Sequence, residues 1–237
     1  MTDTFGRIML DIESTSLSEE DKSVIRNKHV GGIIFFSKNF ESYTQIKNLI
    51  TEIKTIKENI IFAVDHEGGR VQRFKNEFTK IPSMQAISLY AKKNDNYEIF
   101  KEIAWLASSE LVSVGIDINF APVLDLDNNS SSIIGDRAFS NEAKEVIKNA
   151  SFFIDGMNEA GMSSTGKHFP GHGGVVEDSH KEMPTDKRSF DDLDSGNNDL
   201  EPYRKLSTKL DAVMCAHILF PKIDKHLSLI HISEPTR

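Results

Sequence analysis

The sequence predicts an α/β fold, a (β/α)8 TIM-type barrel that is incomplete, with about six of its eight strands present. Three observations predict it. Short apolar segments alternate with longer amphipathic ones, as a parallel sheet with covering helices requires. The apolar segments show no in–out alternation, so both of their faces are expected to be buried. Polar and titratable residues collect just after one apolar segment after another, where parallel α/β proteins build their sites. A doubly wound sheet would instead place one glycine-rich phosphate turn after its first strand, and none follows residues 7–13.

Each element has its own signal. Residues 7–13 (RIMLDIE) read as a short buried strand, and Ser18 with Asp21 forms a capping pattern that opens a helix over 18–28. Residues 30–37 (VGGIIFFS) are a second strand. Helical spacing of Ile46, Leu49, Ile50, Ile53 and Ile56 predicts a helix over 43–57. A third strand, 60–64, runs into Asp65-His66-Glu67-Gly68-Gly69-Arg70. The amphipathic segment 96–114 is a helix through Ile99, Ile103, Leu106, Ala107, Leu111 and Val114, and 116–126 is a fourth strand. A helix over 143–160 ends at Gly161 in the C-cap position, and a fifth strand covers 162–167. Residues 193–210 read as helical, with Pro202 marking a break or a start, and 212–220 form a sixth strand.

Net charge is −8 without long runs of one sign, which argues against nucleic acid or an anionic membrane as partner. No apolar run approaches the ~18 residues of a membrane span, and the first residues lack the basic and apolar regions of a secretory signal. Cys215 is the only cysteine, so no internal disulfide can form and a reducing compartment is expected. Together these features predict a cytoplasmic protein.

The densest chemistry lies in Lys167-His168-Phe169-Pro170-Gly171-His172-Gly173-Gly174-Val175-Val176-Glu177-Asp178-Ser179-His180. Its histidines and Asp178 are metal-ligand types, but Pro170 and three glycines rule out a helix-spaced zinc site. Its glycines lack the order of a phosphate-binding loop. An acid–base reading needs only that Asp178 and His180, two apart, project to one side. The carboxylate then fixes the tautomer and the imidazole shuttles a proton. Lys167 and His168, at a strand end, would position substrate, which demands a kink because strand neighbours face opposite ways. After the third strand, Asp65 can accept from sugar hydroxyls, and Arg70 and Arg73 can reach carboxylates or amides. In Ile134-Gly135-Asp136-Arg137 the acid–base neighbours alone suggest a local salt bridge.

Residues 167–184 (KHFPGHGGVVEDSHKEMP) resemble the signature of glycoside hydrolase family 3, most closely its bacterial cytoplasmic β-N-acetylhexosaminidases of peptidoglycan recycling. Residues 64–74 (VDHEGGRVQRF), 119–125 (NFAPVLD) and 153–167 (FIDGMNEAGMSSTGK) agree, and the similarity runs in order from about Arg7 to about Lys225. His66 departs from the glutamine expected in many relatives. The resemblance implies a retaining hydrolase that releases terminal N-acetylglucosamine from muropeptides, without a cofactor. His180 would be the acid/base and Asp178 its partner, while Asp65, Arg73, Arg137, Lys167 and His168 would bind the sugar. A histidine in that role departs from the usual carboxylate pair.

The same resemblance implies an aspartate nucleophile in a Ser-Asp-Asp-type motif at the end of a seventh strand, and nothing after Phe220 matches one. Residues 1–226 are therefore expected to be the N-terminal part of the barrel domain, and 227–237 (LSLIHISEPTR) a non-native tail.

Overall fold

A computed structural model describes residues 6–128, 133–175, 184–195 and 198–223. Six strands form one parallel sheet: β1 (Ile8–Leu10), β2 (Val30–Phe35), β3 (Ile61–Val64), β6 (Ile118–Asn119), β7 (Ser163–Phe169) and β8 (Ala212–Cys215), side by side in that order. Between β3 and β6 a small antiparallel hairpin, β4 (His66–Gly68) and β5 (Val71–Gln72), stands apart from the sheet. The helices are α1 (Glu19–Ile25), α2 (Tyr43–Ile56), α3 (Met84–Asn94), α4 (Glu98–Val114), α5 (Ala143–Glu159), α6 (Phe190–Asp194) and α7 (Leu200–Leu206). This is the expected incomplete α/β barrel, with β1 and β8 as its two edges among the described residues.

Local chemistry explains most boundaries. Ser18 accepts from the Asp21 amide at 3.0 Å while Asp21 accepts from the Ser18 amide at 2.9 Å, a complete capping box. Helix α2 buries Ile46, Leu49, Ile50 and Ile53, the stripe its spacing predicts. Helix α5 stops one residue before Ala160, and Gly161 supplies the left-handed φ of +80° that ends it. Gly156 presses onto the α4 backbone at Lys101, beside Ala104, which lets the two long helices approach closely.

Several elements differ from expectation, the first and sixth strands among them, which shorten to Ile8–Leu10 and Ala212–Cys215. Helix α3 lies in a stretch with no assigned element, and its weak amphipathicity explains why it escapes pattern reading. Helix α4 buries Ala107, Leu111 and Val114 as expected, with Ile99 and Ile103 partly buried against the core, but Leu106 is exposed and Phe100 and Ala104 are buried in addition. The fourth strand shrinks to Ile118–Asn119, because Pro122 has no amide hydrogen to donate to a ladder. Beyond it, single hydrogen bonds continue: the Thr165 amide to the Ala121 carbonyl at 2.8 Å and the Leu124 amide to the Lys167 carbonyl at 2.7 Å. The segment 193–210 holds two short helices, α6 and α7, with Pro202 inside the first turn of α7, where proline is tolerated.

Candidate active site

The C-terminal ends of the strands surround a pocket of about 520 Å3, lined among others by Asp65, Glu67, Arg73, Arg137, Lys167 and His168. Asp65 follows β3 directly, and the hairpin that comes next turns Glu67 to the same side two residues on. The hairpin is pinned at its start by Asn119 of β6. That side chain accepts from the His66 amide and donates to the His66 carbonyl, both at 2.9 Å.

Five of these residues form one ionic chain. Lys167 Nζ lies 2.7 Å from Asp65 Oδ1 and 2.5 Å from Glu67 Oε1. Arg137 grips Glu67 with Nε at 2.8 Å and Nη2 at 2.7 Å, and Arg73 reaches Asp65 at 3.5 Å. Three cations against two carboxylates leave one net positive charge. Burial alone would push the Glu67 carboxyl up, but Lys167 and Arg137 together hold it down at about 2. Arg137 does not pair with its neighbour Asp136. Asp136 turns to Arg70, 3.6 Å away, so the local pairing suggested by the sequence is replaced by two long-range ones.

Lys167 and His168 both line the pocket although they are adjacent on β7. The pairing of β7 with β8 slips a residue between Lys167 and Phe169, and this is the expected kink. His168 Nδ1 lies 2.6 Å from Asp125 Oδ2, which leaves Nε2 as the nitrogen free to meet a ligand. The fully buried Asp125 also accepts the His172 amide at 2.7 Å. Burial raises the Asp125 carboxyl, yet His168 and the His172 amide bring it below its ordinary value. Burial lowers the imidazole of His172.

Two side chains in and behind the pocket emerge here that pattern reading passed over. Glu67 lay within a quoted motif and Asp125 at the end of another, but neither had a role assigned. A carboxylate two residues beyond a strand-end aspartate, and another closing an apolar strand, were the available signals. His66 is buried against Phe74 and Phe78, and neither ring nitrogen has a hydrogen-bond partner. Burial, with Arg73 nearby, lowers it to about 4. Asp178 and His180 lie outside the described residues. Among the described residues no group of three or more histidine, cysteine or carboxylate side chains could hold a metal ion, and no helix is long and apolar enough to cross a membrane.

Comparison with known proteins places this geometry. A Beta-hexosaminidase of Idiomarina loihiensis is 46% identical over 220 residues, covering 92% of this chain and 66% of its own length. One of Tolumonas auensis is 45% identical over 222 residues, with 92% and 65% covered. The chain thus spans about two thirds of the length of these curated relatives. The crystal structure of NagZ from Neisseria gonorrhoeae in complex with N-trifluoroacetyl-D-glucosamine superposes with a TM-score of 0.90 at 40% identity, covering 94% of this chain and 67% of that one. Residues 6–234 match the glycosyl hydrolase family 3 N-terminal domain, and the chain belongs to that family of enzymes.

Proposed function

We propose that this chain carries the sugar clamp and the proton shuttle of a retaining β-N-acetylhexosaminidase acting on N-acetylglucosamine-containing muropeptides. The observation that carries the reading is the ionic chain Arg73–Asp65–Lys167–Glu67–Arg137 around a pocket at the strand ends. Its carboxylates and cations are fixed before any ligand arrives, which suits the hydroxyls and acetamide of one terminal sugar. The relative in complex with N-trifluoroacetyl-D-glucosamine supports the choice of sugar.

In this reading Asp65 accepts from the sugar hydroxyls. Lys167, Arg73 and Arg137 donate to hydroxyl and carbonyl oxygens, and His168 contributes Nε2. His180 gives its proton to the departing oxygen and later withdraws one from water, with Asp178 holding its ring in register. The nucleophile is a further carboxylate. Asp65 and Glu67 are each held by lysine and arginine, and Asp125 by His168, so none of these three is placed to attack an anomeric carbon. The exposed thiol of Cys215 at the pocket mouth fits a reducing compartment, which we take to be the cytoplasm.

The direct test is a calorimetric titration of the chain with N-acetylglucosamine and with glucose. Binding of the first, weaker binding of the second, and loss of both in Lys167→Met is the expected pattern. Equal affinity for the two sugars would remove the hexosaminidase reading, and a folded chain that binds neither would remove the sugar pocket.

A further inference from the structure

We propose that the groove between α3 and α5 is a binding site for a short aliphatic di- or polyamine, whose primary ammonium groups meet carboxylates and the buried carboxamide of Asn149. The groove has a volume of about 350 Å3 and shares no lining residue with the pocket at the strand ends. Its occupant is therefore independent of the sugar proposed for that pocket.

The two helices line the groove with matching sets of side chains. From α3 come Gln85, Ser88, Leu89 and Lys92, at the spacing that places them on one helix face. From the N-terminal end of α5 come its N-cap Glu142, then Glu145 and Asn149. Two side-chain struts brace the walls. Gln85 Nε2 donates to Asp127 Oδ2 at 3.2 Å, and Asn149 Nδ2 donates to Ser88 Oγ at 3.4 Å. Asp127 is itself anchored, its amide donating to the Ser140 carbonyl at 3.1 Å.

Three features define the ligand. Asp127, Glu142 and Glu145 stand against a single lysine, Lys92, a formal excess of two negative charges. The groove therefore favours a cation and rejects the anion that a helix N-terminus would otherwise attract. Next, Asn149 is only 2% exposed, and its Oδ1 has no hydrogen-bond partner. A buried amide oxygen without a donor is unfavourable, and a primary ammonium, with its several N–H donors, can satisfy it while pairing with a carboxylate. Finally, the carboxylates are spread along the groove rather than gathered. Among the described residues no group of three or more could hold a metal ion, so the ligand's charge must be spread as well. The positions from Gln85 to Lys92 cover about 10 Å of helix, and the exposed Leu89 between them offers apolar surface. Ammonium groups separated by a few methylenes match the charge, the spacing and the apolar stretch together.

The experiment is a calorimetric titration with 1,4-diaminobutane, butylamine and magnesium chloride, on the parent chain and on Glu145→Gln and Asn149→Leu. The diamine is expected to bind the parent, with butylamine about ten-fold weaker for want of one charge-assisted contact and magnesium weaker than the diamine. Asn149→Leu should weaken the diamine about ten-fold through loss of a hydrogen bond to a charged group, and Glu145→Gln about three-fold. Circular dichroism reports the folding of both variants, and the half-buried Glu145 keeps the test decisive if Asn149→Leu does not fold. No diamine binding to the parent, or parent-like binding in Glu145→Gln, would overturn the site. Magnesium or butylamine binding as tightly as the diamine would overturn it too, since that marks an acidic surface without selectivity. Saturating N-acetylglucosamine should leave the diamine titration unchanged, and displacement would move the diamine to the strand-end pocket and overturn the assignment.

Discussion

Arg137 and Glu67, seventy residues apart in sequence, meet in a two-pronged ion pair at 2.7 and 2.8 Å in the wall of the pocket. Glu67 is only 3% exposed at its side chain, so its carboxylate depends on Arg137 and Lys167 for neutralisation. Removing one partner of a buried pair leaves a charge in a low dielectric. Arg137→Ala is expected to destabilise the fold by roughly 3 kcal/mol, a fall of about 10 °C in Tm. Arg137→Lys keeps the charge without the fork and should fall between. Thermal melts of the three proteins check the order, and an unchanged Tm in Arg137→Ala would show that Lys167 alone suffices.

His66 makes stability depend on pH in a defined window. In the unfolded chain its imidazole takes up a proton near 6.5, whereas in the fold it does so only at about 4. Between those values the unfolded chain binds more proton, so stability falls as pH is lowered and levels off below about 4. A gap of this size corresponds to roughly 3 kcal/mol. Replacing the imidazole by an uncharged amide, His66→Gln, should flatten the dependence there. Glu67 acts in a lower window: its contribution is present above 4.5 and is lost as pH falls through about 2. Melts from pH 7 to 4 on both proteins distinguish them, and parallel curves would exclude His66 as the source.

The edges of the sheet should make the isolated chain associate. Ile8 on β1 is 52% exposed and Val213 on β8 is 49% exposed, each on a strand with one unpaired side among the described residues. Exposed apolar edges recruit further strands. Light scattering across a concentration series should show growing assemblies, reduced in Val213→Lys. A monomer at every concentration, unfolding in one sharp calorimetric transition, would contradict this.

Catalysis by this polypeptide should be absent or very slow. Among the described residues the three carboxylates in or behind the pocket are already engaged, Asp65 and Glu67 by Lys167 and Asp125 by His168, so attack by any of them would have to break a contact the fold supplies. An aryl N-acetyl-β-glucosaminide should therefore release no chromophore above background. Robust hydrolysis that disappears in His180→Ala would require a nucleophile elsewhere in the chain.

The sheet order and most helices were legible because they follow from local rules: apolar runs for doubly buried strands, the Ser18–Asp21 box, Gly161 after α5. The site was legible in its residue types, since Asp65, Lys167 and His168 stand at strand ends. Their partners were not. That Lys167 answers Asp65, 102 residues earlier, depends on β7 lying one strand beyond β6 and on the hairpin turning Glu67 inward. One position on α4, Leu106, was misjudged for a similar reason. Tight packing against Gly156 selects small Ala104 over large Leu106, and periodicity alone cannot see the neighbour. Position 66 shows the opposite case, where a substitution that looks minor in sequence places an unpartnered imidazole among phenylalanines.

Asn119 stands in for a peptide group. Where the β3 ladder ends, its carboxamide offers His66 one acceptor and one donor, as a neighbouring strand would. The seam between barrel and hairpin is thus stitched by a single side chain, and its orientation is dictated from both directions. An aspartate there would match the shape but could no longer donate, and glutamine would push the stitch out by one carbon. Asp65 on one side of this stitch and Glu67 on the other thus owe part of their placement to two hydrogen bonds that call for both the acceptor and the donor of an amide.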